Sequence, residues 1–189
     1  MNTLAHIVIA SAALSRLKAA KRNRAVMAGA FLPDLSMFVF FAWSRLRGWS
    51  GDETWNVQYW TEPWQTLGAG SNSFVVFSIV WLISVSRRWS LVAILAAAAL
   101  IHIALDFPLH GDDAHRHFWP LSDWRFASPI SYWDPSHNGI WGGLIETLAV
   151  LVASALLWTR FSRARVRIAI AAFAVLQIAA FGVLVNLAS

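Results

Sequence analysis

The chain of 189 residues contains no cysteine and few charged residues, and each of these absences excludes a class of protein. Without cysteine there are no disulfides, no thiolate metal sites and no cysteine nucleophile. Charged residues make up 13% of the chain and apolar residues 58%, whereas about a quarter of a soluble domain is charged. This balance predicts an integral membrane protein.

The net charge of +5 would suit a nucleic-acid partner, but the positions of the basic residues argue against one. Eleven of the fifteen lie in three short clusters between apolar runs, at 16–24, 87–88 and 160–167, and these clusters hold none of the ten acidic residues. Cytoplasmic loops carry such an excess of Lys and Arg under the positive-inside rule. We therefore expect a multi-pass membrane protein that does not bind nucleic acid.

Hydropathy marks five or six apolar segments. They cover roughly residues 3–17, 25–43, 73–85, 89–107, 142–158 and 166–187. The first and third are short for a full crossing, which takes about 20 residues. The predicted fold is one all-α integral membrane domain over residues 1–189, a helical bundle with five or six transmembrane or membrane-embedded helices.

Placing every basic cluster in the cytoplasm puts both termini and two outer loops, 44–72 and 108–141, on the periplasmic side. Nine of the twelve Trp residues lie in or beside these loops. Indole rings prefer the membrane–water boundary, so we expect the outer loops to lie on the lipid surface. The first apolar segment is followed, not preceded, by its basic residues, so we expect it to be retained and not cleaved as a signal peptide.

Several ionisable residues lie inside the apolar segments, where they are costly and by default mark functional sites. They are His6, Asp34, His102, Asp106 and Glu146. His102 and Glu146 each lie 14 residues from the nearest basic cluster, which on a helix is roughly 21 Å. His6 and Asp34 are equidistant from position 20, in the first basic cluster, and reach a similar height. We predict that these side chains meet in the periplasmic half of the bundle.

His102 and Asp106 are four residues apart, so they project from one face of a helix and can bind one metal ion or a close pair of ions. A His–Asp hydrogen bond that packs two helices together is the alternative. Pro108 is expected to end this helix. In the loop HGDDAHRH that follows, His115 and His117 alternate, so they would face the same way in an extended segment.

Asp34 follows Pro33 within an apolar segment, where proline bends or breaks a helix and can turn the next carboxylate toward the bundle interior. Capping the following helix is the alternative role for Asp34. Later in the chain, SYWDPSHNG supplies Asp134 and His137 as further candidate ligands. A turn role for Asp134 before Pro135 is equally open.

Imidazoles and carboxylates without thiolates suit one or two ions of zinc, manganese or iron. A metal with an open position lowers the pKa of bound water and so provides a nucleophile, and two-metal sites favour phosphoester substrates. A carboxylate that is not a ligand then serves as the general base. Glu146 and Asp134 are the candidates for this catalytic role.

These motifs, in this order, resemble the bacterial membrane-bound metal-dependent hydrolases, a family related to zinc-dependent phospholipase C. The similarity rests on His6, on GAFLPD ending in Asp34, and on His102-x-x-x-Asp106 followed by Gly111. It covers most of residues 2–147. The resemblance implies an inner-membrane helical protein whose His/Asp metal centre hydrolyses an ester or phosphoester.

Carried over residue by residue, the resemblance implies metal ligands at His6, Asp34, His102 and Asp106. One of His115 or His117, then His137 and Glu146, would parallel the later His and Glu ligands of the phospholipase pattern. The chain departs from the family at the start of the third segment, where a His-Ser pair is common and GSNSF stands here. Ser71 or Asn72 replaces that histidine, which removes one ligand expected for a second metal ion.

Three functions follow from these observations. The first is hydrolysis of a lipid or lipid-linked (phospho)ester at the outer leaflet, which predicts water access and an opening between helices wide enough for a lipid. The second is a non-catalytic subunit of a membrane-protein complex, whose His/Asp cluster is structural or binds metal without turnover, in a closed site. A transporter ranks last, because the segments below His6 and Asp34 are almost purely apolar.

Overall fold

The computed structural model describes residues 1–188, and in that part of the chain it contains helices and no strand. The eight α-helices of the described residues are α1 Thr3–Leu14, α2 Ala20–Phe31, α3 Leu35–Arg47, α4 Glu62–Ser71, α5 Phe74–Ser86, α6 Ser90–Asp106, α7 Gly139–Arg160 and α8 Ala164–Ala188. Short helical turns lie at Glu53–Val57, Gln58–Trp60 and Pro135–His137. The all-α prediction is confirmed.

Two helices of the described chain, α7 and α8, are long and apolar enough to cross a membrane. The pairs α2 with α3 and α4 with α5 pass only if each is one broken span, since they are bent by 61° and 41°. α1 and α6 have 12 and 17 residues, or about 18 and 26 Å, against a hydrocarbon core of about 30 Å. The prediction of five or six membrane helices is therefore supported only for two, or for up to four.

Proline sets two helix boundaries, as predicted. Pro33 lies in the bend between α2 and α3, and α6 ends at Asp106, two residues before Pro108. The predicted outer loop 44–72 is instead largely helical, because α3 continues until Gly48, whose φ of 71° ends it, and α4 begins at Glu62. The segment 107–134, by contrast, contains no helix, in agreement with the predicted loop 108–141.

Small side chains let α1 and α6 pack closely at the centre of the bundle. One group joins α1, α2 and α6: Ala10, Val26, Ala30 and Ala98. A second joins α1 to α7 and α8: Ala5, Val8, Ala12, Val150, Ala153, Leu157 and Ile170. Gly29 lies so close to the Leu95 backbone that a Cβ would overlap it. These close contacts bring the ends of α1, α2 and α6 to one place.

Arg160, the last residue of α7, ties α7 to the C-terminal end of α1. Its guanidinium donates hydrogen bonds to the carbonyl oxygens of Ala12, at 2.8 Å, and Ser15, at 3.0 Å. Carbonyls at a helix end lack partners within the helix, so the arginine satisfies them. This contact holds the C-terminal end of α1, next to the basic cluster at 16–24. The N-terminal end of α1 lies at the candidate site.

Candidate metal centre

Asp106, the last residue of α6, is the point on which the candidate site converges. Its side chain is 3% exposed, and its Oδ1 lies 3.0 Å from His6 Nε2 while its Oδ2 lies 3.2 Å from His102 Nε2. The amine of Met1 also pairs with Oδ1. The His6 and His102 rings stack on each other with centroids 3.5 Å apart. The ends of α1 and α6 thus bring two histidines together around one carboxylate.

The spacing of these atoms fits a metal ion. One ligand atom from each of His6, His102 and Asp106 can be chosen so that all three lie within 4.8 Å of one another. Two atoms that bind one tetrahedral zinc ion at 2.0–2.1 Å are separated by about 3.3 Å. The separations of 3.0 and 3.2 Å around Asp106 are close to that value. Three protein ligands leave a fourth position open, as catalytic zinc sites do.

Three buried or nearly buried histidines share one hydrogen-bond arrangement. Their Nδ1 atoms lie 2.7–2.9 Å from an oxygen: His102 from Ala30 O, His110 from Asp113 Oδ2 and His117 from Asn72 O. When a neutral ring donates its Nδ1 proton in this way, it presents a lone pair at Nε2, whereas His110 keeps a second proton near neutral pH because its pKa is raised to about 9. In the described chain, none of these three Nε2 atoms has a hydrogen-bond partner. Metal-ligating histidines show this arrangement.

The Nε2 atom of His102 faces two carboxylates. It lies 3.2 Å from Asp106 Oδ2 and 3.6 Å from Asp34 Oδ1. A lone pair directed at carboxylate oxygens is repulsive unless a cation or a second proton lies between them. His102 is fully buried, so solvent does not reduce this repulsion. These nitrogen and oxygen atoms can bind a divalent cation between them.

Asp34 is turned toward the site by the bend at Pro33. Its side chain makes no capping hydrogen bond to α3, so the structure does not bear out the capping alternative. Instead Oδ2 accepts a 2.6 Å hydrogen bond from Thr3 Oγ1, and Oδ1 faces His102. The first turn of α1 therefore positions Asp34 beside the cluster.

The loop after α6 adds His110, His115 and His117. Burial and the neighbouring His110 lower the pKa of His115 to about 3. Burial also lowers the pKa of His110, but the carboxylates of Asp106 and Asp113, which lie 3.5 and 2.9 Å from its ring nitrogens, outweigh burial and raise that pKa to about 9. Burial raises the pKa of Asp113, and its bond to His110 overcomes this and lowers it to about 2. Because a ligating imidazole must be neutral, a metal at His110 would displace a proton.

Glu146, Asp134 and His137 have other partners. Glu146 is buried in α7, and its Oε1 accepts hydrogen bonds from the main-chain and side-chain nitrogens of Asn2. Asp134 and His137 bond to each other at 2.7 Å, and Asp134 Oδ1 also accepts from the Ser136 amide, which is the turn role left open by the sequence. The structure thus brings His6, Asp34, His102 and Asp106 together and leaves the Asp134–His137 pair outside that group.

Asn72, at the position where the family commonly has histidine, orients another residue. The side-chain amide of Asn72 donates to the Pro33 carbonyl at 3.3 Å, and the main-chain carbonyl of Asn72 accepts from His117 Nδ1. Ser71 bonds to Ser36 at 2.8 Å. Neither contact is that of a metal ligand, and His117 presents its bare Nε2 from the same region.

A cavity of about 710 Å³ opens beside the cluster. Its polar end includes Asp34, His110 and His115, and its other wall is aromatic: Phe40, Trp55, Tyr59, Trp60 and Trp64. Cavities of about 300–1,000 Å³ hold small-molecule ligands. Three of the four tryptophans of segment 44–72, which we expected at the lipid surface, therefore line a cavity instead of serving only as surface anchors.

Two residues at the site were missed by the sequence-based prediction. His110 follows Asp106 by four residues, the same spacing that makes His102 and Asp106 candidate ligands. Because it lies beyond the expected helix end, the spacing does not predict it as a ligand. Gln177 is an amide in the apolar run of α8, and a polar residue in such a run is itself a signal. It is buried and accepts a 2.6 Å hydrogen bond from Asn2.

No protein-family model, curated protein or solved structure matches this chain. The resemblance to the membrane-bound hydrolases therefore stays a prediction. What the site does must be argued from its own geometry.

Proposed function

We propose that this chain is a membrane-embedded, metal-dependent hydrolase of a lipid or lipid-linked ester or phosphoester. One observation carries the proposal: the buried Nε2 atom of His102 has no hydrogen-bond partner and lies between the carboxylates of Asp106 and Asp34, at 3.2 and 3.6 Å. A His–Asp pair that only packed two helices together would satisfy both partners, as buried polar groups generally do. The resemblance to the membrane-bound hydrolases supports the same function.

In this proposal His6, His102 and Asp106 hold a zinc ion, and manganese or iron suits the same donors. Zinc held by three protein ligands supplies a nucleophile by lowering the pKa of water to about 7. His117 offers a bare Nε2 atom for a second ion, and His110 would offer one after losing a proton. Asp106 Oδ2 faces both His102 and His110, so this oxygen lies between the first ion and a second one.

Asp34 is the carboxylate best placed to accept a proton from the nucleophile. It lines the cavity and lies 3.6 Å from His102 Nε2, while Thr3 holds its other oxygen. A general base must reach the reacting group, directly or through one water. Catalytic roles for Glu146 and Asp134 stay predictions, and their carboxylates already accept hydrogen bonds from Asn2 and Ser136.

Access to the cluster favours an enzyme over the alternative, a non-catalytic subunit with a closed structural site. The cavity reaches Asp34 and His110, which lie between it and the buried His102 and Asp106. A substrate bound there would meet the bare nitrogens from one side. The pairing of Met1 with Asp106 favours the structural alternative, because that ammonium already supplies a positive charge.

Metal content of the purified protein tests the proposal. We expect the wild type to retain zinc or a similar ion, and the His102→Ala, Asp106→Ala double variant to lose it. The matched control is the exposed His–Asp pair of the cavity rim, changed to His137→Ala and Asp134→Ala, which should retain the metal. A wild type with no more metal than the first double variant overturns the proposal. Release of headgroup from phospholipid vesicles then tests hydrolysis.

We also propose that the chain lies in the bacterial inner membrane with the cluster toward the periplasm. α7 and α8 support membrane insertion, and the basic residues between them support a cytoplasmic position for that turn. Because the chain lacks cysteine, an Asp112→Cys variant carries a single thiol on the exposed loop. It should react with an impermeant thiol reagent in intact spheroplasts. Labelling only after lysis would reverse the orientation.

A further inference from the structure

A second cavity, a groove of about 310 Å³, lies between α1 and α8. α7 forms its floor through Val150, and the two walls are formed by Leu4, Ala5, Val8, Phe173, Leu176 and Ala180, with Gln177 at the polar end. Leu176 is 54% exposed and Ala180 is also exposed, so the groove is open along α8. α7 and α8 are the two helices with the length and hydropathy of membrane spans.

The groove adjoins the cavity of the candidate metal centre. Asn2 and Thr3 line both spaces, so this short segment borders the groove on one side and the cavity on the other. On the cavity side, Thr3 bonds to Asp34. On the groove side, Asn2 bonds to Gln177 at 2.6 Å. A molecule that occupied both spaces would pass over the first residues of α1.

The chemistry of the two spaces differs sharply along this path. The groove lining contains no charged side chain, and the amide of its one glutamine is bonded to Asn2 and Thr147. The cavity beyond Thr3 contains carboxylates and imidazoles. A hydrocarbon chain fits the first space, and a polar ester or phosphoester fits the second.

We propose that the groove between α1 and α8 holds one acyl chain of a membrane lipid whose polar head lies in the cavity of the metal centre. This inference rests on the proposed hydrolase function and names how its substrate enters, laterally from the bilayer. The groove selects a lipid by its tail, and the segment Asn2–Thr3 sets where the tail ends and the head begins.

Two neighbouring alanines of α8 provide a matched pair of variants. Ala180 lines the groove and is exposed, so Ala180→Trp fills the groove without touching the His/Asp cluster. Ala179 is also exposed but does not line the groove, and lies about 100° away around the helix. Ala179→Trp therefore adds the same bulk to the same helix. Ala180→Leu is a milder filling, in case the tryptophan disturbs folding.

The experiment uses the full chain in vesicles that contain phosphatidylethanolamine with a photoreactive diazirine in one acyl chain. After illumination, mass spectrometry measures the lipid label on residues 3–8 of α1. We expect label there in the wild type, loss of that label in Ala180→Trp, partial loss in Ala180→Leu and the wild-type level in Ala179→Trp. Equal labelling in Ala179→Trp and Ala180→Trp would contradict the proposal that the groove holds an acyl chain. The absence of label on α1 in the wild type would contradict it as well.

The same measurement on the His102→Ala, Asp106→Ala variant separates this inference from the proposed function. Groove labelling should persist there, since none of the groove residues is a metal ligand. If the wild type is labelled in the groove but binds no metal, the result supports acyl-chain binding in the groove and contradicts the proposed hydrolase function. If the wild type binds metal but all lipid-facing helices are labelled equally, the result supports the metal centre and contradicts specific acyl-chain binding in the groove.

Discussion

Two clusters of polar side chains lie next to each other at the N-terminal end of α1, and both are buried among apolar helices. In the first, the candidate metal centre, His6 Nε2 bonds to Asp106 at 3.0 Å, whereas the buried Nε2 atom of His102 lacks a hydrogen-bond partner. In the second, Asn2 bonds to Glu146 and Gln177, Gln177 bonds to Thr147 at 3.2 Å, and Thr147 donates to the Gly143 carbonyl at 2.8 Å. Depth in the bundle does not distinguish these clusters, whereas residue type and hydrogen bonding do: only the first contains imidazoles, and only there does a buried ring nitrogen lack a partner within the described residues. Paired polar groups hold helices together, and an unpaired buried nitrogen needs an explanation such as a ligand.

The largest effect is expected from an isosteric change at Asp106, compared with the same change at Glu146. Asp106→Asn removes a negative oxygen from the metal centre, so metal affinity should fall by more than about 100-fold, beyond the loss seen when a supporting residue is removed. Glu146→Gln makes the same chemical change in the satisfied cluster and should leave metal affinity unchanged. Titration against a chelator of known affinity measures both. Equal losses in the two variants would show that the clusters form a single site.

Gly29→Ala should produce the next largest effect. Its Cβ would overlap the Leu95 backbone, and separating α2 from α6 would move the Ala30 carbonyl away from His102 Nδ1. We expect a loss of about 1–3 kcal/mol in the free energy of unfolding from overpacking. Metal affinity should fall by about 10–100-fold from the lost support of the ligand. Gly182→Ala is the control, because a Cβ there meets nothing within 4 Å, and an equal loss in that variant would contradict the explanation.

Gln177→Leu should break the satisfied cluster alone. The variant loses the hydrogen bonds to Asn2 and Thr147, and such bonds between membrane helices contribute about 0.6–1.7 kcal/mol. Unfolding by SDS titration measures the loss, and metal content should stay at the wild-type level. Ser154→Ala is the matched control on α7, since its buried hydroxyl has no hydrogen-bond partner in the described chain. Loss of metal in Gln177→Leu would mean that α8 supports the metal centre.

The smallest effect is expected from His137→Ala. The side chain is 42% exposed and bonds to Asp134 within a surface turn. Its removal should change the free energy of unfolding by less than about 0.5 kcal/mol, as for most surface substitutions. Metal content should not change. A metal-depleted His137→Ala variant would restore this histidine to the ligand set that the family resemblance implied.

The spacing of polar residues in apolar segments was enough to predict the centre of the site. His6, Asp34, His102 and Asp106 meet because α1, α2 and α6 each have one end beside a basic cluster and extend away from it by a constant 1.5 Å per residue. The same reasoning placed Glu146 at this depth, and it lies close by, but its carboxylate is bonded to Asn2. Depth along a helix follows from counting residues, whereas the direction of a side chain depends on how the helix is rotated by its neighbours.

The number of membrane-spanning helices was harder to predict. Segments 3–17 and 89–107 are apolar, but the helices that form there have only 12 and 17 residues. Hydropathy measures the preference of a segment for an apolar environment, and a buried core inside a bundle satisfies that preference as well as lipid does. Segment 44–72 likewise became helical, because aromatic side chains around Phe40 found partners that a hydropathy profile does not contain.

Composition, helix periodicity and proline positions were sufficient to establish an all-helical chain, the bend before Asp34 and the end of α6, because these depend on neighbouring residues and on the transfer of side chains out of water. The choice between ligand and packing residue required contacts between distant segments. The main-chain carbonyls of Ala30 and Asn72 bond to the Nδ1 atoms of His102 and His117, and Asn2 donates to the Glu146 carboxylate. Each of these hydrogen bonds forms only when the helices pack together. A hydrogen bond is short-ranged and directional, so its presence or absence is determined when the bundle assembles.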